Sequence, residues 1–274
     1  MKNNIAMVPV FVLLFAFLFL CGCEKASPAI VQQGPKPQNS EFVVGVENGY
    51  FPYTYAAGET DEIIGYDVDL LREVAERNRW RFRIQVIDWG RKDEWLASGR
   101  IDCLASGIKM ETRENLYSWT TPYLVGTDVV VTRISSGIDC FAKLRGRKCG
   151  IQSTTPAFQR IMRGDLQEFG EGVTLIAYDN FSELNARFAK GEMDALVTNI
   201  RVAKILVRDN KDMFILNQPL SLNTDGFAFR LDSRALRDQV QETLCKMVDD
   251  GTVARITSRW FGENISILKP SGLK

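Results

Sequence analysis

The sequence contains no histidine in 274 residues. This absence excludes every Ser-His-Asp or Cys-His catalytic arrangement and every histidine-ligated zinc or iron site. The chain also lacks an excess of either charge, because 34 Lys and Arg residues balance 34 Asp and Glu residues. A nucleic-acid-binding protein usually has a basic excess, so no nucleic-acid partner is expected. The residues that are present, 45% apolar and 25% charged, are typical of a globular protein.

Residues 1–22 have the features of a signal peptide. Lys2 precedes an apolar run over residues 8–20, which is shorter than the ~20 residues that span a bilayer as a helix. The run ends in Leu-Cys-Gly before Cys23, and this ending resembles the lipobox of bacterial lipoproteins. The resemblance implies that cleavage leaves a lipidated Cys23 at the start of the mature chain. The alternatives are an uncleaved anchor helix, or ordinary secretion with cleavage nearby.

A tether is predicted to follow the lipidated cysteine. Residues 24–40 contain three prolines and three glutamines and few large apolar side chains. Such a segment cannot bury enough apolar surface to order itself. We therefore assign residues 23–40 to the lipidated cysteine and a flexible tether.

Four cysteines lie beyond the predicted lipidation site. Cys140 and Cys149 flank a short polar turn, and a disulfide between them would close a small loop at a gain of ~2–3 kcal/mol. The alternative is that all four are small buried thiols. No pairing is predicted for Cys103 and Cys245. The cysteines are not spaced as in metal sites, so neither a metal nor a cofactor is predicted.

From residue 41 onward the sequence alternates short apolar runs with amphipathic stretches. The first set predicts β-α-β-α-β, the unit of a parallel sheet, over residues 42–46, 66–80, 82–86, 92–98 and 101–105. The second set predicts strands at 129–132, 148–151, 173–177, 195–198 and 214–216, with helices over 156–169, 181–190 and 200–208. An alternating stretch at 226–230 and a long helix at 233–250 follow, and a short last helix ends in Trp-Phe. About 230 folded residues suit two lobes better than one core.

Four stretches of this pattern together resemble one protein family. They are FVVGVENGYFPYTY (42–55), GYDVDLLREVA (65–75), IDCLASGIKMETRENLYSWTTPY (101–123) and MVDDGTVARITSRWFGEN (247–264). Their order and spacing resemble the family 3 extracellular solute-binding proteins, which are the amino-acid receptors of bacterial ABC importers. The resemblance covers nearly the whole mature chain.

The resemblance implies an α/β, two-lobe fold of the type II periplasmic-binding-protein class, with a ligand cleft between the lobes. Lobe 1 would be discontinuous, comprising residues 41–130 and 222–264, and lobe 2 would be residues 131–221. Two hinge strands near 129–132 and 221–225 would join them, and residues 265–274 would form a C-terminal tail.

The implied function is that of a receptor rather than an enzyme. The chain would be a monomeric lipoprotein, anchored to the membrane and facing the periplasm or the cell surface. It would bind an amino acid or a related carboxylate and deliver it to the permease of an ABC importer.

The resemblance also implies most of the ligand site. Arg113 matches the arginine that clamps the ligand carboxylate, a role that suits a planar guanidinium. Glu47 matches an acidic residue facing the ligand ammonium, and Tyr50 and Trp89 match two pocket aromatics. The remaining predicted contacts come from loops and strand ends: Ser106, Gly107, Lys109, Ser153, Thr154, Thr155, Asn199 and Asp225.

Three departures from the family pattern affect the expected ligand. Lys109 stands near the place of a carboxylate-binding hydroxyl, and Asn199 replaces an aspartate that commonly holds the ammonium. The turn at 152–156 has no glycine and contains Pro156, which has no N–H to donate. Two cations, Lys109 and Arg113, against Glu47 predict a ligand with more anionic than cationic character, such as an acidic amino acid.

Two other functions remain open on the sequence. Cyclohexadienyl and arogenate dehydratases resemble these receptors, and Glu47 or Glu111 could supply the acid that such an enzyme needs. A sensory receptor that reports to a membrane kinase would have the same sequence features.

Overall fold

A computed structural model describes residues 32–272 except residues 59, 167, 168, 170 and 171. The predicted signal peptide, the predicted lipidation site at Cys23 and the first part of the tether lie outside the described residues. None of the helices within the described part of the chain has the length and apolar character needed to cross a membrane.

The described residues form two sets of regular elements. The strands are β1 (Glu41–Val46), β2 (Tyr55–Ala56), β3 (Ile63–Ile64), β4 (Arg81–Val86), β5 (Cys103–Leu104), β6 (Ser118–Trp119), β7 (Leu124–Arg133), β8 (Lys148–Gln152), β9 (Thr174–Tyr178), β10 (Ala195–Asn199), β11 (Met213–Ile215), β12 (Ser221–Asp225) and β13 (Ala228–Phe229). The α-helices are α1 (Tyr66–Arg77), α2 (Lys92–Ala97), α3 (Pro156–Met162), α4 (Phe181–Ala189), α5 (Ile200–Asp209), α6 (Arg234–Asp249) and α7 (Thr252–Phe261). Short 3-10 helices cover Trp89–Arg91, Ile134–Ser136 and Phe141–Leu144.

The strands form two main sheets, and each sheet is the centre of one lobe. The sheet of lobe 1 has the order β4-β1-β5-β13-β6, with β1 parallel to β4 and β5. The sheet of lobe 2 has the order β11-β7-β10-β8-β9, with β12 paired to β7. Because β13 pairs with β5 and β6, the chain returns to the first sheet after completing the second.

Two adjacent strands carry the chain between the lobes. The first half of β7 pairs antiparallel with β12, and the second half pairs with β10 inside lobe 2. The strand β12 has the bounds predicted for the second crossing. The pairing of the two crossing strands falls at Leu124–Asp128, which precedes the predicted 129–132. The exact limits of the lobes stay a prediction.

Helix α1 shows how the apolar pattern specifies packing in lobe 1. Its buried positions include Val68, Leu71, Val74 and Ala75, which lie on one face at helical spacing. This face packs against α6, α7 and β4. Each buried aliphatic side chain of this kind contributes roughly 1.5–3 kcal/mol relative to exposure.

Two expectations about lobe 2 differ from the structure. The helix that begins at Pro156 ends at Met162 instead of residue 169, because Gly164 adopts a left-handed φ of 79° just beyond it. Cys140 and Cys149 are both free thiols, so the predicted bridge is not formed. Cys149 is fully buried in the apolar core of lobe 2, which leaves its thiol packed among hydrophobic side chains.

The last residues of the predicted tether contact lobe 1 instead of extending freely. Gln33 N donates to Asp232 O at 2.7 Å, and Lys36 Nζ lies 2.9 Å from Asp102 Oδ1. At the other end of the chain, Ile267 N donates to Tyr123 O at 3.0 Å, which ties the predicted C-terminal tail to the start of the crossing strands.

Candidate functional site

A small cavity lies where loops of the two lobes meet. Most of the residues predicted to bind ligand line it. Its walls are formed by Glu47, Tyr50, Trp89, Ser106, Gly107, Ile108, Lys109, Arg113, Gln152, Thr154 and Thr155.

The buried carboxylate of Asp67 holds one wall of the cavity in place. Its Oδ2 accepts hydrogen bonds from Ser106 N at 2.8 Å, from Gly107 N at 2.7 Å and from the Tyr123 hydroxyl at 2.9 Å. Burial raises the pKa of Asp67 to about 7, because the charged form loses its water. The N–H groups of Ser106 and Gly107 therefore already donate within the protein. Any contact of these two residues with a ligand would be made by their other atoms.

Gly65 allows α1 to begin where Asp67 can reach this wall. Its φ is 146°, and a Cβ at this position would lie 2.0 Å from Tyr53 O. No other residue fits that close approach. The Gly-Tyr-Asp sequence thus has a structural reason, because the glycine sets the start of the helix and the aspartate fixes the cavity wall.

The carboxylate of Glu47 spans the two lobes. Its backbone is fixed in lobe 1, where Glu47 N donates to Ser106 Oγ at 2.9 Å. Its side chain accepts hydrogen bonds from Phe181 N, at the start of α4, and from Gln152 Nε2 at 3.1 and 3.2 Å. A carboxylate at a helix N-terminus is stabilised by the helix dipole and by free N–H groups. Burial outweighs these hydrogen bonds and raises the pKa of Glu47 to about 7.

The guanidinium of Arg113 also reaches both lobes. Its Nη1 donates to Lys109 O at 3.0 Å, and its Nη2 donates to Thr154 O in lobe 2. Both acceptors are neutral carbonyls, and no carboxylate of the described residues lies within 4.0 Å of this cation. Burial lowers the pKa of Arg113. A partly buried cation without an anionic partner is suited to bind an anionic group of a ligand.

Lys109 has a partner within the protein. Its Nζ forms a buried ion pair with Asp225, which is fully inaccessible and also accepts from the Tyr53 hydroxyl at 3.1 Å. Arg201 Nη1 lies 3.9 Å from the same carboxylate. This pairing neutralises Lys109, so the argument for an anionic ligand that counted Lys109 as a free cation does not hold. Asp225 does not line the cavity; it pairs with Lys109 at the hinge.

Aromatic side chains enclose the lobe 1 side of the cavity. Tyr50 stacks on Tyr53 with ring centroids 5.3 Å apart and meets Phe181 of lobe 2 edge-on at 5.0 Å. Trp89 is 5% exposed and lies beside Lys92, whose Nζ is 5.9 Å from its ring centroid. These rings provide an apolar surface for a ligand side chain.

The predicted contacts from lobe 2 divide into two groups. Thr154 and Thr155 line the cavity, although the Thr155 hydroxyl already accepts from Phe158 N as the cap of α3. Ser153 lies outside the cavity wall and donates to Asp179 Oδ1 at 2.9 Å. Asn199 also lies outside it and caps α5 through Arg201 N at 3.0 Å, while its buried Nδ2 has no partner among the described residues.

Gln152 and Ile108 line the cavity but were missed by sequence reasoning. Gln152 is the last residue of β8, a buried strand with parallel neighbours on both sides. Residues at the carboxyl ends of parallel strands are where ligands bind in open α/β sheets, and this signal could have identified it.

Comparison with known proteins assigns the family. The sequence profile of the bacterial extracellular solute-binding proteins, family 3, matches residues 42–263. The chain belongs to this family. The predicted resemblance is thus confirmed, and members of this family are binding proteins rather than enzymes.

Individual family members agree with this assignment. The L-cystine-binding protein TcyA of Bacillus subtilis is 28% identical over 229 residues, which cover 82% of each chain. The crystal structure of Tv2483 bound to L-arginine has a TM-score of 0.77 at 29% identity, over 83% of this chain and 93% of that one. A substrate-binding protein of Streptococcus pneumoniae with bound histidine has the same TM-score at 22% identity, over 83% and 94% of the chains, and supports the fold alone. The predicted two-lobe periplasmic-binding-protein fold is confirmed.

Proposed function

We propose that this solute-binding protein is the amino-acid receptor of an ABC importer. The presence of both Arg113 and Glu47 in the wall of one cavity carries the proposal. Arg113 offers a planar cation without an anionic partner among the described residues, and Glu47 offers a carboxylate. A zwitterionic amino acid has the complementary pair, with its carboxylate on Arg113 and a cationic group on Glu47.

The ligands of the relatives support an amino acid as the solute. The relatives include binding proteins for cystine and for arginine. The structural neighbour at 29% identity holds L-arginine. The panel to be tested therefore includes acidic, neutral and basic amino acids and cystine.

The role of each lobe follows from the contacts across the cavity. Glu47 and Arg113 belong to lobe 1 loops and already reach Gln152, Phe181 and Thr154 of lobe 2. A ligand that joins these groups adds contacts to both lobes and favours the closed arrangement. The closed receptor then offers a surface from both lobes to the importer.

Calorimetric titration of the protein without residues 1–23 against the amino-acid panel tests this function. At least one amino acid should bind, and a ligand at 100 times its Kd should add about 2.7 kcal/mol to the free energy of unfolding. Arg113→Ala should weaken that binding at least ~30-fold, because it leaves a ligand carboxylate unpaired in a partly buried site. Arg163→Ala, at an exposed arginine of lobe 2, is the matched control and should leave Kd unchanged. Unchanged affinity in Arg113→Ala would refute the assignment.

We also infer that the receptor is held at the outer face of a membrane by a lipid on Cys23. The Leu-Cys-Gly-Cys ending of the apolar run supports this anchor. In cells fed a labelled fatty acid, the wild-type protein should carry the label and Cys23→Ser should not. Label retained by Cys23→Ser would contradict the anchor.

A catalytic role on the same scaffold is not part of the proposal. Glu111, one acid candidate for a dehydratase, lies outside the cavity wall and accepts at Oε1 from Thr224 N at 2.8 Å and from its hydroxyl at 2.7 Å. Asn199, at the lobe 2 position, is uncharged. Incubation with prephenate or arogenate should yield no aromatic product.

A further inference from the structure

A nearly buried ammonium lies beside Trp89, a residue of the cavity wall, without a hydrogen-bond acceptor among the described residues. Lys92, the first residue of α2, has a side chain that is 6% exposed. Among the described residues, no atom accepts a hydrogen bond from its Nζ, and the nearest carboxylate oxygen is Asp93 Oδ2 at 4.0 Å. A buried ammonium without a hydrogen-bond acceptor is costly, so its retention calls for a closer partner than Asp93.

Asp93 is a weak partner for this ammonium. Its side chain is 63% exposed, and its Oδ1 accepts a hydrogen bond from the Tyr117 hydroxyl. A pair at 4.0 Å with one exposed member contributes at most a fraction of a buried ion pair, because solvent screens it.

The position of Lys92 relates it to the ligand cavity. Its Nζ lies 5.9 Å from the ring centroid of Trp89, which lines the cavity. It also interacts electrostatically with Arg113 and Glu47, the two charged groups of the proposed ligand clamp. Burial and the like charge of Arg113 lower the pKa of Lys92. An anionic ligand group near Trp89 would relieve both the desolvation and the repulsion.

Lys92 interacts with three carboxylates, Asp93, Glu47 and Asp179, and with one cation, Arg113, but none of these carboxylates accepts a hydrogen bond from its Nζ. Arg113 and Lys92 are both positive, and the acid that lines this cavity, Glu47, is already held by Gln152 and by Phe181 N. One ligand carboxylate on Arg113 would leave Lys92 without a hydrogen-bond acceptor among the described residues.

We propose that Lys92 is a specificity-determining residue and that the cognate ligand carries a second carboxylate beyond the one held by Arg113. This inference rests on the proposed amino-acid receptor function. Two kinds of amino acid have this chemistry. An acidic amino acid carries the second carboxylate on its side chain, whereas cystine carries it on a second amino-acid unit.

The test compares matched ligands that differ by one carboxylate. Calorimetry would use glutamate against glutamine, aspartate against asparagine, and cystine against the mixed disulfide of cysteine and cysteamine. The wild-type protein should prefer the carboxylate form of one pair by ~10-fold or more, the range expected for a hydrogen bond to a charged group. The pair that shows the preference identifies which of the two sources is the ligand.

Three variants then assign this preference to Lys92. Lys92→Met keeps the length of the side chain without its charge and should remove most of the preference. Lys92→Arg should retain it, and so should Lys211→Met, at an exposed lysine of lobe 2. Because the readout is a ratio of two affinities in one variant, a general loss of stability does not affect it.

The outcomes separate this inference from the function on which it rests. An equal loss of affinity for both members of a pair in Lys92→Met would show a structural role only and would overturn the inference. A protein that binds a neutral or basic amino acid through Arg113, with no preference for a second carboxylate, would also overturn it but would leave the receptor function intact. A protein that binds no amino acid would overturn both.

Discussion

The pH dependence of stability should depend on Glu47. Its side chain is buried, and its pKa is raised from 4.5 to about 7. Between those pH values the folded protein retains a proton that the unfolded chain has released. The free energy of unfolding should therefore fall as the pH rises through this window and level off above it.

The magnitude follows from the shift in pKa. A shift of one unit is worth ~1.4 kcal/mol, so Glu47 contributes a fall of up to ~3 kcal/mol between about pH 4.5 and pH 7. Asp67, with a pKa raised from 3.8 to about 7, acts in the same direction. The wild-type slope thus contains at least two contributions, and a variant is needed to separate them.

Glu47→Gln provides this separation, because an amide of the same shape has no proton to bind in this range. Urea unfolding followed by circular dichroism at about pH 5, 6, 7 and 8 should give a shallower slope for Glu47→Gln than for the wild type. Glu76→Gln, at an exposed position of α1, is the matched control and should follow the wild-type profile. Parallel profiles of Glu47→Gln and the wild type between pH 5 and 7 would refute the reasoning.

Three further experiments test the packing at Gly65, the ion pair of Lys109 and the state of the cysteines. Gly65→Ala would place a Cβ 2.0 Å from Tyr53 O at a positive φ, and chemical denaturation should show a loss of more than ~2 kcal/mol in unfolding free energy. Lys109→Met would leave the Asp225 side chain, among the described residues, with only the Tyr53 hydroxyl and the more distant Arg201, and the same assay should show a loss of up to ~3–5 kcal/mol. A form of the protein that lacks residues 1–23 retains four cysteines. After denaturation, all four should react with a thiol reagent. Fewer than four reactive thiols would contradict the free state of the described cysteines.

Local patterns predicted the long elements well. The apolar spacing of α1 and the alternation over residues 81–84 of β4 are properties of neighbouring residues, and burial of one face makes them visible in the sequence. The alternation ends at Val86, which is exposed. The two-residue strand β6 leaves no such pattern, since its partner is set by contacts far apart in the chain, whereas β13 lies in the alternating stretch at 226–230. Helix α3 was predicted too long because apolar residues continue beyond the glycine that ends it.

The candidate site was likewise predictable where motifs mark its residues and unpredictable where distant residues pair. The sequence placed Glu47 and Arg113 at the cavity through family motifs, and the structure brings both to its wall. It could not show that Lys109 is paired with Asp225, because the partners are 116 residues apart and meet only when the second crossing strand returns to lobe 1. A pair of this separation is a property of the topology and has no local signal.

The contacts between the lobes also bear on how a ligand would be held. The side chains of Glu47 and Arg113 already form hydrogen bonds with Gln152, Phe181 and Thr154 of the opposite lobe. A ligand must replace some of these hydrogen bonds, so the net gain on binding is the difference between the ligand contacts and the contacts that it displaces. The ion pair of Lys109 with Asp225 lies at the hinge and involves neither group, so it can persist while the cavity exchanges partners. Specificity is therefore expected from the groups that lack partners in the protein, and the ammonium of Lys92, buried beside Trp89, forms no hydrogen bond among the described residues.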